Sequence, residues 1–219
     1  MFSAKNPSPD YIKLTKYYKK IHKKGVVYKS NLKKNPEDTY DGTSALKFAD
    51  IIKKIIEKNN CKTLLDYGSG KGSFYFQKRK FNKINYPPIK DFWNVEPTLF
   101  DPGVKDYSKP KNKKFDVVVS IDVLEHIPFQ DMYWVVNEIL SFSNNIVFFS
   151  VACCPANVTL EDGRNAHVSL FHPMWWYGFI TAISNQYNLK IFLVCYFIDN
   201  NKKLKNVSFG INEDFNNYR

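Results

Sequence analysis

The chain has 219 residues, 44% of them hydrophobic, and a formal net charge of +11 at pH 7. That length and apolar content predict one compact α/β domain with room for a short appendage, and no apolar run is long enough to cross a membrane. No basic-then-apolar leader opens the sequence, and Cys61, Cys153, Cys154 and Cys195 lack C-x-x-C or metal-finger spacing, which reads as reduced thiols in a cytoplasmic protein.

Of the 32 basic residues only Arg79, Arg164 and Arg219 are arginine. Lysine lacks the planar fork that favours specific phosphate and base contacts. The charge therefore keeps a nucleic-acid partner open without specifying one. The same richness in Lys, Asn, Ile, Phe and Tyr also matches an AT-rich coding sequence.

Residues 1–42 read as a basic helical appendage. Leu14, Tyr17, Tyr18 and Ile21 fall at i, i+3, i+4 and i+7, with lysines on the other face. His22 stands beside this stripe and reads as structural, with lining a site beneath the helix as the functional alternative. From Thr43 onward the chain reads as the main domain. Thr43 or Ser44 can cap a helix that buries Leu46, Ala49, Ile52, Ile55 and Ile56 and ends near Asn59-Asn60.

Lys62-Thr63-Leu64-Leu65 then leads into Asp66-Tyr67-Gly68-Ser69-Gly70-Lys71-Gly72. A buried strand ending in such a glycine turn brings backbone against a ligand, because glycine permits positive φ and carries no Cβ. A short helix is expected over Ser73–Lys80 and a loop over Asn82–Asp91. A second strand runs toward Asp101. Only thirteen residues separate Asp101 from Phe115, so the third strand is expected to be short or irregular. Phe115–Ile121 reads as a strand ending at Asp122. A helix from Gln130 to Phe142 follows, burying Met132, Val135, Val136, Ile139 and Leu140. Ile146–Val151 is the next strand. After a loop holding Asp162-Gly163-Arg164-Asn165-Ala166-His167 comes a helix, Met174–Gln186, with Trp176, Phe179, Ile180 and Ile183 inward. Leu189–Ile198 and Val207–Ile211 are expected as two closing antiparallel strands.

Asp66-Tyr67-Gly68-Ser69-Gly70-Lys71-Gly72, Pro97-Thr98-Leu99-Phe100-Asp101-Pro102-Gly103, the run Phe115 to Pro128 ending Asp122-Val123-Leu124-Glu125-His126-Ile127-Pro128, and Asp162 to His167 followed by Trp175-Trp176 together resemble the class I S-adenosylmethionine-dependent methyltransferases. The likeness is to small bacterial and phage members, and it runs from about Thr43 to the C-terminus. It implies a Rossmann-like sheet with helices on both faces and a cytoplasmic enzyme that transfers a methyl group to oxygen or nitrogen. The implied cofactor site is Asp66, Tyr67, Gly68, Ser69, Gly70, Gly72, Phe100, Asp101, Asp122 and Val123. Asp101 is the ribose acid in preference to Glu96, and Phe100 and Val123 flank the adenine. The basic helix becomes a lid.

His126, His167 and Glu125 are the implied acid–base residues, and Arg164 and Asn165 the acceptor-binding ones; Trp175 and Trp176 are read as walling the acceptor pocket, with one of them core. Ubiquinone-biosynthesis O-methyltransferases and RNA-terminal 2′-O-methyltransferases carry a similar E-x-x-E-H that can bind a divalent cation. Here Asp122 replaces the first Glu. The site reads first as metal-free, with Mg²⁺ or Mn²⁺ held by Asp122, Glu125, His126 and His167 as the alternative. The acceptor stays open between a small molecule or glycan and a nucleic acid gripped by the basic N-terminal segment, and a non-catalytic cofactor-binding module is the further alternative. Asn85-Tyr86-Pro87-Pro88 and Cys154-Pro155 invert the Pro-containing boxes of DNA methylating enzymes and are rejected as such.

Overall fold

In the computed structural model, which describes residues 1–28, 32–109 and 112–218, the long apolar runs form one six-stranded sheet. Its strands are β1 (Thr63–Tyr67), β2 (Glu96–Phe100), β3 (Phe115–Ile121), β4 (Ser143–Ala152), β5 (Lys190–Ile198) and β6 (Leu204–Ile211). The spatial order is β6–β5–β4–β3–β1–β2. Neighbours pair in parallel except β6, which is antiparallel to β5. This is a Rossmann-like layout, and its central strands are buried on both faces, as a sheet covered by helices requires.

Alternation along β3 divides the core. Val117, Val119 and Ile121 face a cluster with Ile52, Ile55 and Ile56 of helix α2 (Ala49–Lys58). Val118 faces the opposite cluster, formed with helix α4 (Phe129–Ser141) and helix α5 (Pro173–Ser184). The expected stripe of α4 is buried residue for residue. In α5 Trp176, Ile180 and Ile183 are buried, whereas Phe179 is half-buried and stacks on Trp175 at 4.7 Å.

Several expectations need correction. Among the described residues between Asp101 and Phe115 there is a 3-10 turn (Lys105–Tyr107) and no strand, so β2 is the edge of the sheet. The two closing strands do pair antiparallel as expected, over Lys190–Ile198 and a longer second strand, Leu204–Ile211. Helix α5 makes a full crossover, long enough to return β5 parallel to β4, and only β6 turns back. Ser73–Lys80 holds only a 3-10 turn, Ser73–Tyr75. Beyond it Arg79–Phe81 pairs with Ile84–Tyr86 across Asn82 and Lys83, both at positive φ (46° and 68°), as a two-residue hairpin turn demands. Helix α3 (Ile89–Trp93) occupies the rest of the expected loop. Thr43–Phe48 is 3-10 rather than α-helix, with Thr43 bonded to Asp41 instead of capping.

Helix α1 (Pro9–Lys24) is capped by Ser8, whose hydroxyl accepts from Tyr11 N–H. Its N-terminus is fastened to the domain through a buried carboxylate. Asp131 of α4 accepts from Ser8 N–H (3.0 Å), from the Ser8 hydroxyl and from Trp134 Nε1 (2.8 Å). The lysines of α1 lie on its outer face, where Lys13 and Lys20 pair with Asp162 and Glu161. No helix of the described residues is long and apolar enough to cross a membrane.

Candidate functional site

Chain order reverses around β1, which lies between β2 and β3. In an open α/β sheet that reversal opens a crevice at the carboxyl ends of the strands. Three turns meet there. After β1, Gly68 and Ser69 N–H both donate to the Phe100 carbonyl (2.7 and 3.1 Å). After β2, Asp101 accepts from Gly70 N–H at Oδ2 (2.9 Å) and from Gly103 N–H at Oδ1 (2.7 Å). After β3, Asp122 sits in the left-handed region (φ 57°) with Oδ1 accepting from Ser150 Oγ (2.7 Å) and Lys47 Nζ 3.4 Å from Oδ2.

The glycines of the loop answer first to the protein. A Cβ on Gly70, at φ 56°, would lie 2.1 Å from the Tyr40 carbonyl oxygen, and one on Gly68 2.3 Å from Val123 Cγ2. Lys71 N–H donates to that same Tyr40 oxygen (2.8 Å), so the segment around Tyr40 clamps the loop from above.

Together these turns floor a cavity of about 630 Å³, within the range of small-molecule sites. Tyr67, Gly68, Ser69, Gly70, Asp101, Asp122 and Val123 line it, and helix α1 roofs it with Tyr11, Leu14, Thr15, Tyr18 and His22. One end lies at Asp101 and Gly103. The other holds His126 and His167, whose rings meet edge to face at 4.8 Å.

Each of those imidazoles is oriented by a backbone carbonyl. His126 Nδ1 lies 2.9 Å from Ala166 O, and His167 Nδ1 lies 2.5 Å from Cys154 O. A carbonyl accepts only, so both Nδ1 atoms carry the proton, and among the described residues no hydrogen bond reaches either Nε2 lone pair. Tyr18 Oη sits 2.8 Å from the same His126 Nδ1. Burial, reinforced by the neighbouring His167, pushes His126 down to about 4, and burial also lowers His167. Both rings are therefore neutral at pH 7.

Glu125 is fully buried behind them, with Oε1 accepting from Ala152 N–H (2.9 Å) and Oε2 unpartnered. Burial, then the charge of Asp122, push its carboxyl well above the usual range. Donor atoms of Glu125, His126 and His167 lie within 4.8 Å of one another, a grouping that does not include Asp122.

Other expected site residues lie elsewhere. Asp66 and Gly72 are behind the glycine loop and off the cavity wall, Gly72 lying against Leu99. Burial pushes the Asp66 carboxyl up to about 7, partly offset by the Tyr75 hydroxyl. Phe100 packs on the Tyr67 ring at 4.8 Å in the α4–α5 core, because it points away from the crevice. Glu125 also lies off the wall. Trp176 is core and Trp175 stacks on Phe171 and Phe179, so neither walls the cavity.

Arg164 is satisfied away from the site. Its guanidinium takes Asp10 of α1 in two bonds (2.9 and 2.7 Å) and also Asp162. Asn165 staples its own loop, accepting from Ala156 and His167 N–H and donating to Ala156 O. Arg164→Ala should therefore leave ligand affinity within about twofold, since a half-exposed ion pair contributes little. Amide hydrogen exchange over residues 156–167 should nonetheless quicken, and an unchanged exchange pattern would refute the fastening role.

Tyr18 and Tyr40 were not legible as site residues. Tyr18 sits in the amphipathic stripe, where a tyrosine reads as core, and Tyr40 belongs to no motif. Comparison with protein-family models, with curated proteins and with solved structures finds no match to this chain.

Proposed function

We propose that this protein is an S-adenosylmethionine-dependent methyltransferase acting on a hydroxyl or amine of a small molecule or glycan. The carrying observation is the convergence of three strand ends on one cavity, with Asp101 at one end and the His126–His167 pair at the other. The donor set fits the two ends of that cofactor. Each Asp101 oxygen takes one backbone N–H and keeps a lone pair for a ribose hydroxyl. Asp122 offers a carboxylate to the methionine portion, beside a glycine loop that has no side chain to intrude.

Bound S-adenosylmethionine supplies an electrophilic methyl group on a sulfonium. The protein's share is positioning and proton removal. With Nδ1 tied to carbonyls, His126 and His167 present unprotonated Nε2 atoms to an acceptor in the same cavity.

A second reading is favoured by the unpartnered Glu125 Oε2 beside those two rings: Glu125, His126 and His167 would hold Mg²⁺ or Mn²⁺, which would lower the pKa of an acceptor hydroxyl. Asp122 is set aside from that ligand group because Ser150 and Lys47 hold it.

Calorimetric titration with S-adenosylhomocysteine, with and without Mn²⁺, tests both. Wild type should bind, and Asp101→Asn should weaken binding by roughly tenfold or more, because the charged acceptor is lost. Heat on adding Mn²⁺ that disappears in His167→Ala supports the cation reading. A folded wild type that does not bind refutes the methyltransferase reading.

A further inference from the structure

We propose that His22 is a ligand-binding residue: from the roof of the cavity its Nε2–H donates to the vicinal diol whose hydroxyls Asp101 accepts. This rests on the nucleoside cofactor assigned to the cavity above, and adds a group from outside the strand ends.

His22 is 9% exposed and lines the cavity, beside Tyr40 at 5.6 Å between rings. Its Nδ1 is enclosed with no partner, and among the described residues no hydrogen bond reaches Nε2 either. An enclosed imidazole that bonds to nothing in the protein is unusual, because a lost hydrogen bond there is costly. Nε2 differs from Nδ1 in facing the cavity. A neutral ring has one N–H, and the cheaper arrangement places it on Nε2, where a ligand or water can accept it, leaving only a lone pair enclosed at Nδ1. Burial keeps the ring neutral, against the nearby Asp101 charge and with that of Lys71.

The ring is directed at the acid. The point where Gly103 lacks a Cβ lies 3.0 Å from Asp101 Oδ1, 3.1 Å from His22 Cδ2 and 3.3 Å from His22 Nε2. Gly103 is thus the spacer that lets imidazole and carboxylate approach one spot, and its φ would accept alanine. A carboxylate can only accept and the Nε2–H can only donate. A hydroxyl pair, whose oxygens donate to the first and accept from the second, satisfies both groups. A ligand bound this way also holds the C-terminal half of α1 down, the half without the Asp131 and Arg164 fastenings.

The test is titration of wild type, His22→Phe and Gly103→Ala with S-adenosylhomocysteine and with its 2′,3′-dideoxy analogue. His22→Phe should weaken the parent ligand about five- to tenfold, one hydrogen bond's worth, and leave the dideoxy analogue unchanged. Gly103→Ala, which crowds both the Asp101 carboxylate and the imidazole, should show the same selective loss. Equal losses for both ligands, or none for the parent ligand, would overturn the role of His22. Wild type that binds neither ligand would instead overturn the nucleoside reading, and this inference with it.

Discussion

Gly70→Ala should abolish binding of S-adenosylhomocysteine and lower stability by about 3 kcal/mol. Two costs act together. Alanine at φ 56° is strained by roughly 1 kcal/mol, and its Cβ would stand 2.1 Å from the Tyr40 carbonyl oxygen, a backbone atom that cannot swing aside. Relief requires the Tyr40 segment to lift, which breaks the Lys71 N–H bond to the same oxygen and opens the cavity roof. In a chain of this size the loss corresponds to a Tm lower by roughly 6–12 °C. Thermal unfolding checks it. A variant with wild-type Tm and affinity would show that the loop and the Tyr40 segment are not clamped together.

Asp66→Asn should stabilise the protein more at pH 8 than at pH 5, by about 2–3 kcal/mol. The carboxyl is wholly enclosed and its pKa is raised from 3.8 to about 7 by burial. A raised acid favours the folded state only while protonated. Its contribution is complete below about 3.8 and is lost as pH rises through about 7, at roughly 1.4 kcal/mol per unit. Asparagine removes that loss. His126, with its pKa lowered, works in the opposite direction, costing stability as pH falls from 6.5 toward 4, but it is common to both proteins and cancels in the difference. Urea titrations at the two pH values read the effect. A pH-independent difference would show that Asp66 is ionised in the folded state, as an acid in contact with the cofactor ammonium would be.

How legible these features were follows from burial. Strands β1, β3 and β4 lie inside the sheet, so they appear in the sequence as near-continuous apolar runs, and β2, at the edge, and β3 each stop at an acid where the crevice begins. The stripe of α4 was equally plain. The hairpin Arg79–Tyr86 was not, because its exposed Lys80, Asn85 and Ile84 show no alternation between a buried and a solvated face. The antiparallel pairing of β5 with β6 was legible, whereas the direction of β5 relative to β4 depends on how α5 crosses the sheet, which spacing alone leaves undecided.

Within the site, backbone-dictated positions such as Gly68, Gly70, Asp101 and Asp122 were readable from motif spacing. Arg164 and Asn165 were misread because a loop rich in polar groups can satisfy them internally or on α1. Tyr18 and His22 reach the cavity only because a helix far away in sequence lies over it.

The most direct measurement is a crystal structure of the protein soaked with S-adenosylhomocysteine. The expected result is the ribose at Asp101, the homocysteine portion along Gly68–Gly70 toward Asp122, and the sulfur facing the His126–His167 end. Density for the nucleoside outside this cavity, or with the ribose remote from Asp101, would contradict it.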